Sequence, residues 1–121
     1  SYINFCGYVT GENLYRSTDV LISFSKSEGF GRTLVEGMLR NKPIIAWKGA
    51  GGPVDITNNG MYGYVVENNK ASEYLSVILS LLKYPEDCAL NVKESYEFAL
   101  KKFSIDSMID NYLEVFRHTC K

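Results

Sequence analysis

Short apolar runs alternate with segments of helical spacing along the first half of this chain. The apolar runs predict β-strands at residues 2–6, 20–24, 43–47 and 63–66. Helices are predicted at 13–17 and, more firmly, at 33–40. Asn41 tolerates the left-handed conformation of a helix exit, and Pro43 favours extended backbone before it. Because strands that alternate with helices are typical of a parallel sheet, we expect an α/β fold, Rossmann-like, with about four strands and flanking helices.

The pattern changes after Val66, where three amphipathic stretches follow one another without a strand between them. Pro85 separates the first stretch from the second, and Ser104 is a suitable N-cap for the third. The third stretch carries an aromatic stripe of Tyr112 and Phe116, which we expect to be core. The sequence therefore predicts a helical carboxyl-terminal segment after the sheet.

Composition narrows the class of protein. With 121 residues, 45% of them hydrophobic, the chain is one packed domain or part of one. The net charge is -1 and the basic residues are scattered, so we expect no nucleic-acid partner. Cys6, Cys88 and Cys120 are far apart and suggest neither a disulfide framework nor a zinc site. No apolar run reaches the ~18 residues of a membrane span and the start lacks the form of a signal peptide, so we expect a soluble, cytoplasmic protein.

The candidate site is the glycine-flanked turn at 27–36, which follows the second predicted strand and opens into a helix. Glycines let a ligand approach the backbone, and free N–H groups in a helix's first turn attract phosphate. The carboxylates of Glu28 and Glu36 can each accept two hydrogen bonds from neighbouring hydroxyls of a sugar or ribose. The N–H groups placed to face a diphosphate belong to Gly31, Arg32 and Thr33. This layout suits a sugar nucleotide, but an ordinary turn acid followed by a solvated helix residue gives the same pattern.

Two other loops are expected at the same edge of the sheet, because parallel strands place their carboxyl ends together. The glycine cluster at 49–53 follows the third predicted strand, and it is either a second wall of the cleft or a tight strand-to-helix connection. The turn at 7–11 follows the first predicted strand. His118 is the only histidine and is expected at the surface. One histidine, three dispersed cysteines and no Asp-x-Asp pair provide no set of metal ligands, so no metal cofactor is expected.

An ordered series of motifs extends along nearly the whole chain. It consists of Phe5-Cys6-Gly7-Tyr8-Val9, Leu14-Tyr15-Arg16-Ser17-Thr18-Asp19-Val20, Ser25-Lys26-Ser27-Glu28-Gly29-Phe30-Gly31, Glu36-Gly37-Met38, Lys42-Pro43-Ile44-Ile45-Ala46, Gly51-Gly52-Pro53-Val54-Asp55-Ile56, Asn59-Gly60-Met61-Tyr62-Gly63-Tyr64-Val65-Val66 and Lys102-Phe103-Ser104. In order and spacing the series resembles the carboxyl-terminal donor-binding part of the retaining GT-B glycosyltransferases of the glycosyltransferase 4 type, also described as glycosyl transferases group 1.

The resemblance implies a site for a nucleotide-sugar donor such as a UDP- or GDP-sugar. Glu36 would hold the ribose, and Glu28, the one candidate catalytic residue, would contact a hydroxyl of the donor sugar. The other implied contacts are Gly29, Phe30 and Gly31 along the sugar, the N–H groups near Thr33 and Leu34 along the diphosphate, and Tyr8 and Val9 near the base. Arg32 is a further substrate-binding candidate, but the pattern does not support giving its side chain the role of the family's basic residues at the diphosphate. The resemblance also implies transfer with retention, no required metal, and stabilisation of the leaving diphosphate as the main electrostatic task.

The chain departs from the family's pattern at several positions. Gly37 and Leu39 stand where the family usually has Ala, Asn41 where it usually has Gly, and Asp55 where it often has Glu. Asp55 matters most, since a shorter acid alters contacts in the cleft.

The family's amino-terminal acceptor domain and the first two strand–helix units of its donor domain have no counterpart in residues 1–121. We therefore expect a fragment of a longer protein, inactive alone. The missing domain would bind a glycan or lipid-linked acceptor, and peripheral membrane association of the parent protein fits this picture. Open sheet edges favour pairing between copies of the chain, a homo-oligomer. The remaining alternatives are a non-catalytic nucleotide-sugar-binding or scaffold module and a nucleotide-sugar epimerase-like domain.

Overall fold

Three parallel strands form the sheet: β1 at Leu21–Ser23, β2 at Ile44–Trp47 and β3 at Tyr64–Val66, in the order β1-β2-β3. The computed structural model describes residues 2–119. In the register, Ile22 lies beside Ile45, and Ala46 lies beside Val65. All three strands fall inside predicted ones and are joined by crossovers that contain helices, as parallel pairing requires. The predicted parallel α/β fold is confirmed.

Six α-helices flank or follow this sheet within the described residues. They are α1 at Gly11–Arg16, α2 at Arg32–Met38, α3 at Gly52–Ile56, α4 at Ala71–Lys83, α5 at Pro85–Lys102 and α6 at Ile105–Thr119. A 3-10 turn at Lys48–Ala50 leads into α3. Helices α1 and α2 match the predictions at 13–17 and 33–40, and α4, α5 and α6 match the three helical stretches after Val66.

The strand predicted at residues 2–6 is wrong. This segment has no strand geometry, and the side chains of Tyr2 and Phe5 are exposed. A strand forms when its backbone pairs with a neighbouring strand, and apolar content alone does not supply one. Within residues 2–119, β1 pairs only with β2. The sheet therefore has three strands in this part of the chain rather than about four.

The alternation of side chains along β2 divides the core between the two faces of the sheet. Ile44 and Ala46 pack with apolar residues of α2, α3 and α5 on one face. Ile45 packs with residues of β3 and α4 on the other. Helices therefore cover both faces, which leaves the loops at the carboxyl ends of the strands as the place where a ligand meets the sheet.

The end of α2 is fixed by Asn41, as predicted. Its φ is 56°, in the left-handed region. The N–H of Asn41 donates to the carbonyl of Met38 at 3.1 Å, and that of Lys42 to the carbonyl of Gly37 at 3.0 Å. This pair of bonds is the Schellman arrangement that satisfies the last carbonyls of a helix. It turns the chain directly from α2 into β2.

Helix α6 confirms one prediction and corrects another. The N–H of Ser107 donates to Ser104 Oγ at 3.1 Å, so Ser104 caps the helix as predicted. The assignment of Tyr112 and Phe116 to the core is wrong, because these side chains are 62% and 60% exposed. Helical spacing shows which face of a helix is apolar but not what covers that face.

Two of the three cysteines lie within the described residues. Cys6 is exposed and Cys88 half-buried, and both are free thiols. Burial raises the pKa of the Cys88 thiol, which keeps it protonated and less reactive at neutral pH. Cys120 lies outside the described residues.

Replacing Thr57 with valine is expected to destabilise the fold by about 1–3 kcal/mol, because it leaves a buried donor without its acceptor. Thr57 is fully buried. Its Oγ1 donates to the carbonyl of Pro53 at 2.6 Å and accepts the N–H of Gly60 at 2.9 Å. Urea unfolding measures the change. Thr18→Val is the matched control, because the half-buried Thr18 hydroxyl makes one bond, to the carbonyl of Leu14. Equal unfolding midpoints for the two variants would contradict this assignment.

Candidate functional site

A cleft of about 250 Å³ opens where β1 ends and α2 begins. Its polar and glycine lining residues are Ser23, Ser25, Glu28, Gly31 and Thr33. The cleft therefore sits at the carboxyl edge of the parallel sheet, the usual position of a ligand in α/β domains. Among the predicted site residues, the structure brings four together around it: Glu28, Gly31, Thr33 and Leu34.

The loop that carries Glu28 is joined to the glycine cluster at 49–53. The N–H of Glu28 donates to the carbonyl of Ala50 at 2.8 Å, and the N–H of Gly52 donates to the carbonyl of Glu28 at 2.9 Å. Glu28 and Gly51 form an isolated parallel bridge. The expectation that these two loops meet at one edge of the sheet is confirmed. Because both its N–H and its carbonyl are bonded to the glycine cluster, the backbone of Glu28 is held in place beside it.

Gly31 makes the close approach of α2 to this loop possible. Its φ is 86°, in the left-handed region, and α2 begins at the next residue. A Cβ at this position would lie 2.9 Å from Ile56 Cδ1 and 3.3 Å from Glu28 Cγ. Only glycine adopts this backbone freely and leaves that space empty. The start of α2 therefore packs directly against Glu28 and α3.

The first turn of α2 offers free backbone donors. The N–H groups of Arg32 and Thr33 make none of the backbone hydrogen bonds found among residues 2–119. The first N–H groups of a helix have no partner inside the helix and carry a partial positive charge. Thr33 also lines the cleft together with Glu28, so one of these donors belongs to a residue of the candidate site.

Glu36 lies one turn further along α2, with its side chain 37% exposed. Its Oε2 accepts a hydrogen bond from Tyr15 Oη at 3.1 Å, and its Oε1 pairs with Arg32 Nε at 3.3 Å. Tyr15 is 2% exposed. Burial raises the pKa of the Tyr15 hydroxyl, and the hydrogen bond to Glu36 and its negative charge raise it further, whereas Arg40 opposes the shift. The hydroxyl is therefore held protonated as a donor to Glu36.

The other predicted site residues do not line this cleft. Tyr8 is exposed and Val9 half-buried, and both precede α1. Gly29 is exposed, and Arg32 points to Glu36. The Phe30 ring meets the edge of the Phe103 ring with 5.7 Å between centroids, so this side chain faces the end of α5. Their assigned contacts with base, sugar and diphosphate remain predictions.

Tyr15 and two serines are site residues that the sequence did not reveal as such. The bond from Tyr15 to Glu36 joins residues 21 positions apart on two different helices, and no spacing rule connects them. Ser23 and Ser25 did leave a signal, because polar residues at the end of a buried strand face the edge where ligands bind.

The described part of the chain shows no group of three or more His, Cys, Asp or Glu side chains arranged to hold a metal ion. None of its helices combines the length and apolarity needed to cross a bilayer. His118 is exposed, as predicted, with its Nε2 at 3.9 Å from Glu114 Oε1.

The fold and the position of the cleft define an α/β domain of Rossmann type with its ligand loops at the carboxyl edge of the sheet. The family described as "Glycosyl transferases group 1" matches residues 2–98. The chain belongs to this family of GT-B glycosyltransferases.

Two curated relatives and one solved structure illustrate the similarity. The chain is 26% identical over 111 residues to the poly(ribitol-phosphate) alpha-N-acetylglucosaminyltransferase of Staphylococcus aureus, covering 91% of this chain and 22% of the relative. It is 33% identical over 100 residues to the trehalose synthase of Pyrococcus horikoshii, covering 83% and 23%. A glycosyltransferase structure from Rickettsia africae matches with a TM-score of 0.73 and 33% identity, covering 90% and 29%. The chain thus spans less than a third of the length of these proteins.

Proposed function

We propose that this chain binds the nucleotide-sugar donor of a glycosyltransferase, which transfers the sugar to a glycan, lipid or other acceptor with retention of configuration. One observation carries the proposal: Glu28, whose N–H and carbonyl are both hydrogen-bonded to the glycine cluster at 49–53, lines the same cleft as Gly31 and Thr33 at the start of α2. Acid and backbone donors together fit a ligand that has both hydroxyls and phosphates.

The three parts of a nucleotide sugar correspond to three groups in this segment. Glu28 accepts hydrogen bonds from hydroxyls of the donor sugar inside the cleft. The N–H groups of Arg32 and Thr33, which have no backbone acceptor, contact the diphosphate. Glu36, half-exposed one turn later, accepts the paired hydroxyls of the ribose.

In the reaction, this segment would act mainly on the leaving nucleoside diphosphate. Negative charge grows on the diphosphate as the bond to the sugar breaks, and preorganised donors at the start of α2 stabilise that charge. Glu28 holds the sugar so that the acceptor attacks from the face the diphosphate leaves, the course we propose for retention. No step of this scheme requires a metal ion.

The acceptor site is proposed to lie in another domain. The chain spans 22% and 23% of the two relatives described above. A protein of that length therefore has room for a separate acceptor domain. Accordingly, we expect residues 1–121 alone to bind donor without transferring the sugar.

Calorimetric titration with UDP-glucose, UDP-N-acetylglucosamine and GDP-mannose tests the proposal. Saturable binding of at least one donor, reversed by the free nucleoside diphosphate, is the expected result. If none of the donors binds either this chain or a longer protein that contains it, the proposed function is wrong.

A further inference from the structure

The hydroxyl of Tyr15 has two acceptors within reach and one proton to give. Its Oη lies 3.1 Å from Glu36 Oε2 and 3.2 Å from the carbonyl oxygen of Thr33. A phenol donates a single hydrogen bond, and a carboxylate is a stronger acceptor than a carbonyl. The bond to Glu36 is therefore favoured whenever that carboxylate is ionised.

The two oxygens of Glu36 have partners of very different rigidity. Tyr15, on Oε2, is 2% exposed, and the guanidinium of Arg40 lies over its ring at 4.6 Å from the centroid. Arg32, on Oε1, has a side chain that is 88% exposed. An exposed ion pair of this kind contributes little and exchanges readily, whereas a packed aromatic ring keeps its place.

We propose that Tyr15 is the positioning residue for Glu36 in ribose binding. The inference rests on the proposed function of the segment. Tyr15 holds Oε2 in one orientation, and Arg32 gives up Oε1 to a ribose hydroxyl. Oε2 keeps a second lone pair for the neighbouring hydroxyl, so both oxygens can serve the pair. Without the Tyr15 hydroxyl, the carboxylate would be free to rotate with Arg32 toward solvent.

The Thr33 carbonyl lies beside the same hydroxyl and accepts its proton only when Glu36 does not. The carbonyl of Thr33 belongs to the first turn of the helix, whose N–H groups are proposed to contact the diphosphate. One buried hydroxyl on α1 thus reaches both the ribose acid and the turn that carries the phosphate donors. Tyr15 sets the position of Glu36 relative to that turn.

The test is Tyr15→Phe, which keeps the buried ring and removes the hydroxyl. Binding is measured with whichever of UDP and GDP the unaltered chain binds more tightly, and with the 2′-deoxy and 3′-deoxy forms of that nucleotide. Affinity for the ribonucleotide is expected to fall by about three- to tenfold, the usual worth of one hydrogen bond. Affinity for the deoxy forms should change much less, because they lack part of the hydroxyl pair that Glu36 accepts.

Two further variants separate a positioning role of Tyr15 from a general loss of structure. In a Glu36→Gln background, Tyr15→Phe should cause no additional loss, since it acts through the carboxylate. Tyr64→Phe is the control, because it removes the hydroxyl of another half-buried tyrosine, which lies on β3 and does not line the candidate cleft. That variant should leave nucleotide affinity unchanged.

A spectroscopic measurement on the unaltered protein does not depend on the variant folding. With ¹³C-labelled tyrosine, the Cζ resonance of Tyr15 should shift on adding the ribonucleotide and shift less with the deoxy forms. Equal losses for ribo and deoxy nucleotides in Tyr15→Phe, together with an unmoved Cζ resonance, would overturn the positioning role. If Glu36→Gln also leaves binding intact, it is the proposed function itself that fails.

Discussion

Glu36→Gln is expected to weaken binding of the nucleotide-sugar donor by roughly ten- to a hundredfold. The amide keeps the size of the side chain but loses the negative charge, and hydrogen bonds to a charged group are worth about 1.5–3 kcal/mol. The carboxylate is already placed for this task by Tyr15 at 3.1 Å on one oxygen. Titration calorimetry of both proteins with the same donor measures the ratio of dissociation constants.

The control for this variant is Glu114→Gln on α6. Like Glu36, Glu114 is a helical glutamate four residues from a basic partner, but it is 72% exposed and lies on α6, outside the candidate site. Its loss should leave donor affinity unchanged. Fold stability should also stay within about 1 kcal/mol in Glu36→Gln, because its ion pair with Arg32 is largely exposed. Equal dissociation constants for Glu36→Gln and the unaltered protein would exclude Glu36 from the donor site.

Gly52→Ala is expected to destabilise the fold by about 2–3 kcal/mol, the range of a severe overpacking. The added Cβ would lie 2.6 Å from the carbonyl oxygen of Phe30 and 2.8 Å from that of Glu28. Both obstacles are backbone atoms, so no side chain can rotate out of the way. Relief requires the two loops to separate, which breaks the 2.9 Å bond from Gly52 to Glu28. Urea unfolding measures the loss of stability.

Gly29→Ala is the matched control in the same pair of loops. Gly29 is exposed, and a Cβ there would meet nothing within 4 Å. Its φ is outside the left-handed region, so alanine fits the backbone. The change in stability should stay within about 0.5 kcal/mol. If Gly52→Ala proved as mild as Gly29→Ala, the two loops would not be in the close contact described here.

Local patterns predicted the elements of this fold that depend on local physics. The short apolar runs that became β1, β2 and β3 and the helical spacing of α2 are such patterns. The left-handed exit at Asn41 follows from the chemistry of one residue. The failures at 2–6 and on α6 have a shared cause. A strand at 2–6 and a buried α6 would each need a partner surface, and apolar content along the sequence neither supplies nor identifies one.

The candidate site likewise has a part that local patterns predicted and a part that they did not. Glu28 and the glycine turn were recognisable because they follow a predicted strand, and parallel pairing implied that the glycine cluster at 49–53 would lie nearby. The bond between Tyr15 and Glu36 and the tight approach of Gly52 to Phe30 join distant parts of the chain. They depend on how α1 and the second loop pack in three dimensions, which spacing along the sequence does not encode.

The most direct test of the donor site is an NMR titration of the ¹⁵N-labelled chain with a UDP- or GDP-sugar. Backbone resonances respond to a ligand mainly where it binds, and the segment 28–36 contributes distinct glycine and threonine signals. We expect saturating shifts concentrated at Gly29, Gly31 and Thr33, with α6 unmoved. Saturable binding whose shifts fall on α6 or α4 and spare 28–36 would contradict it.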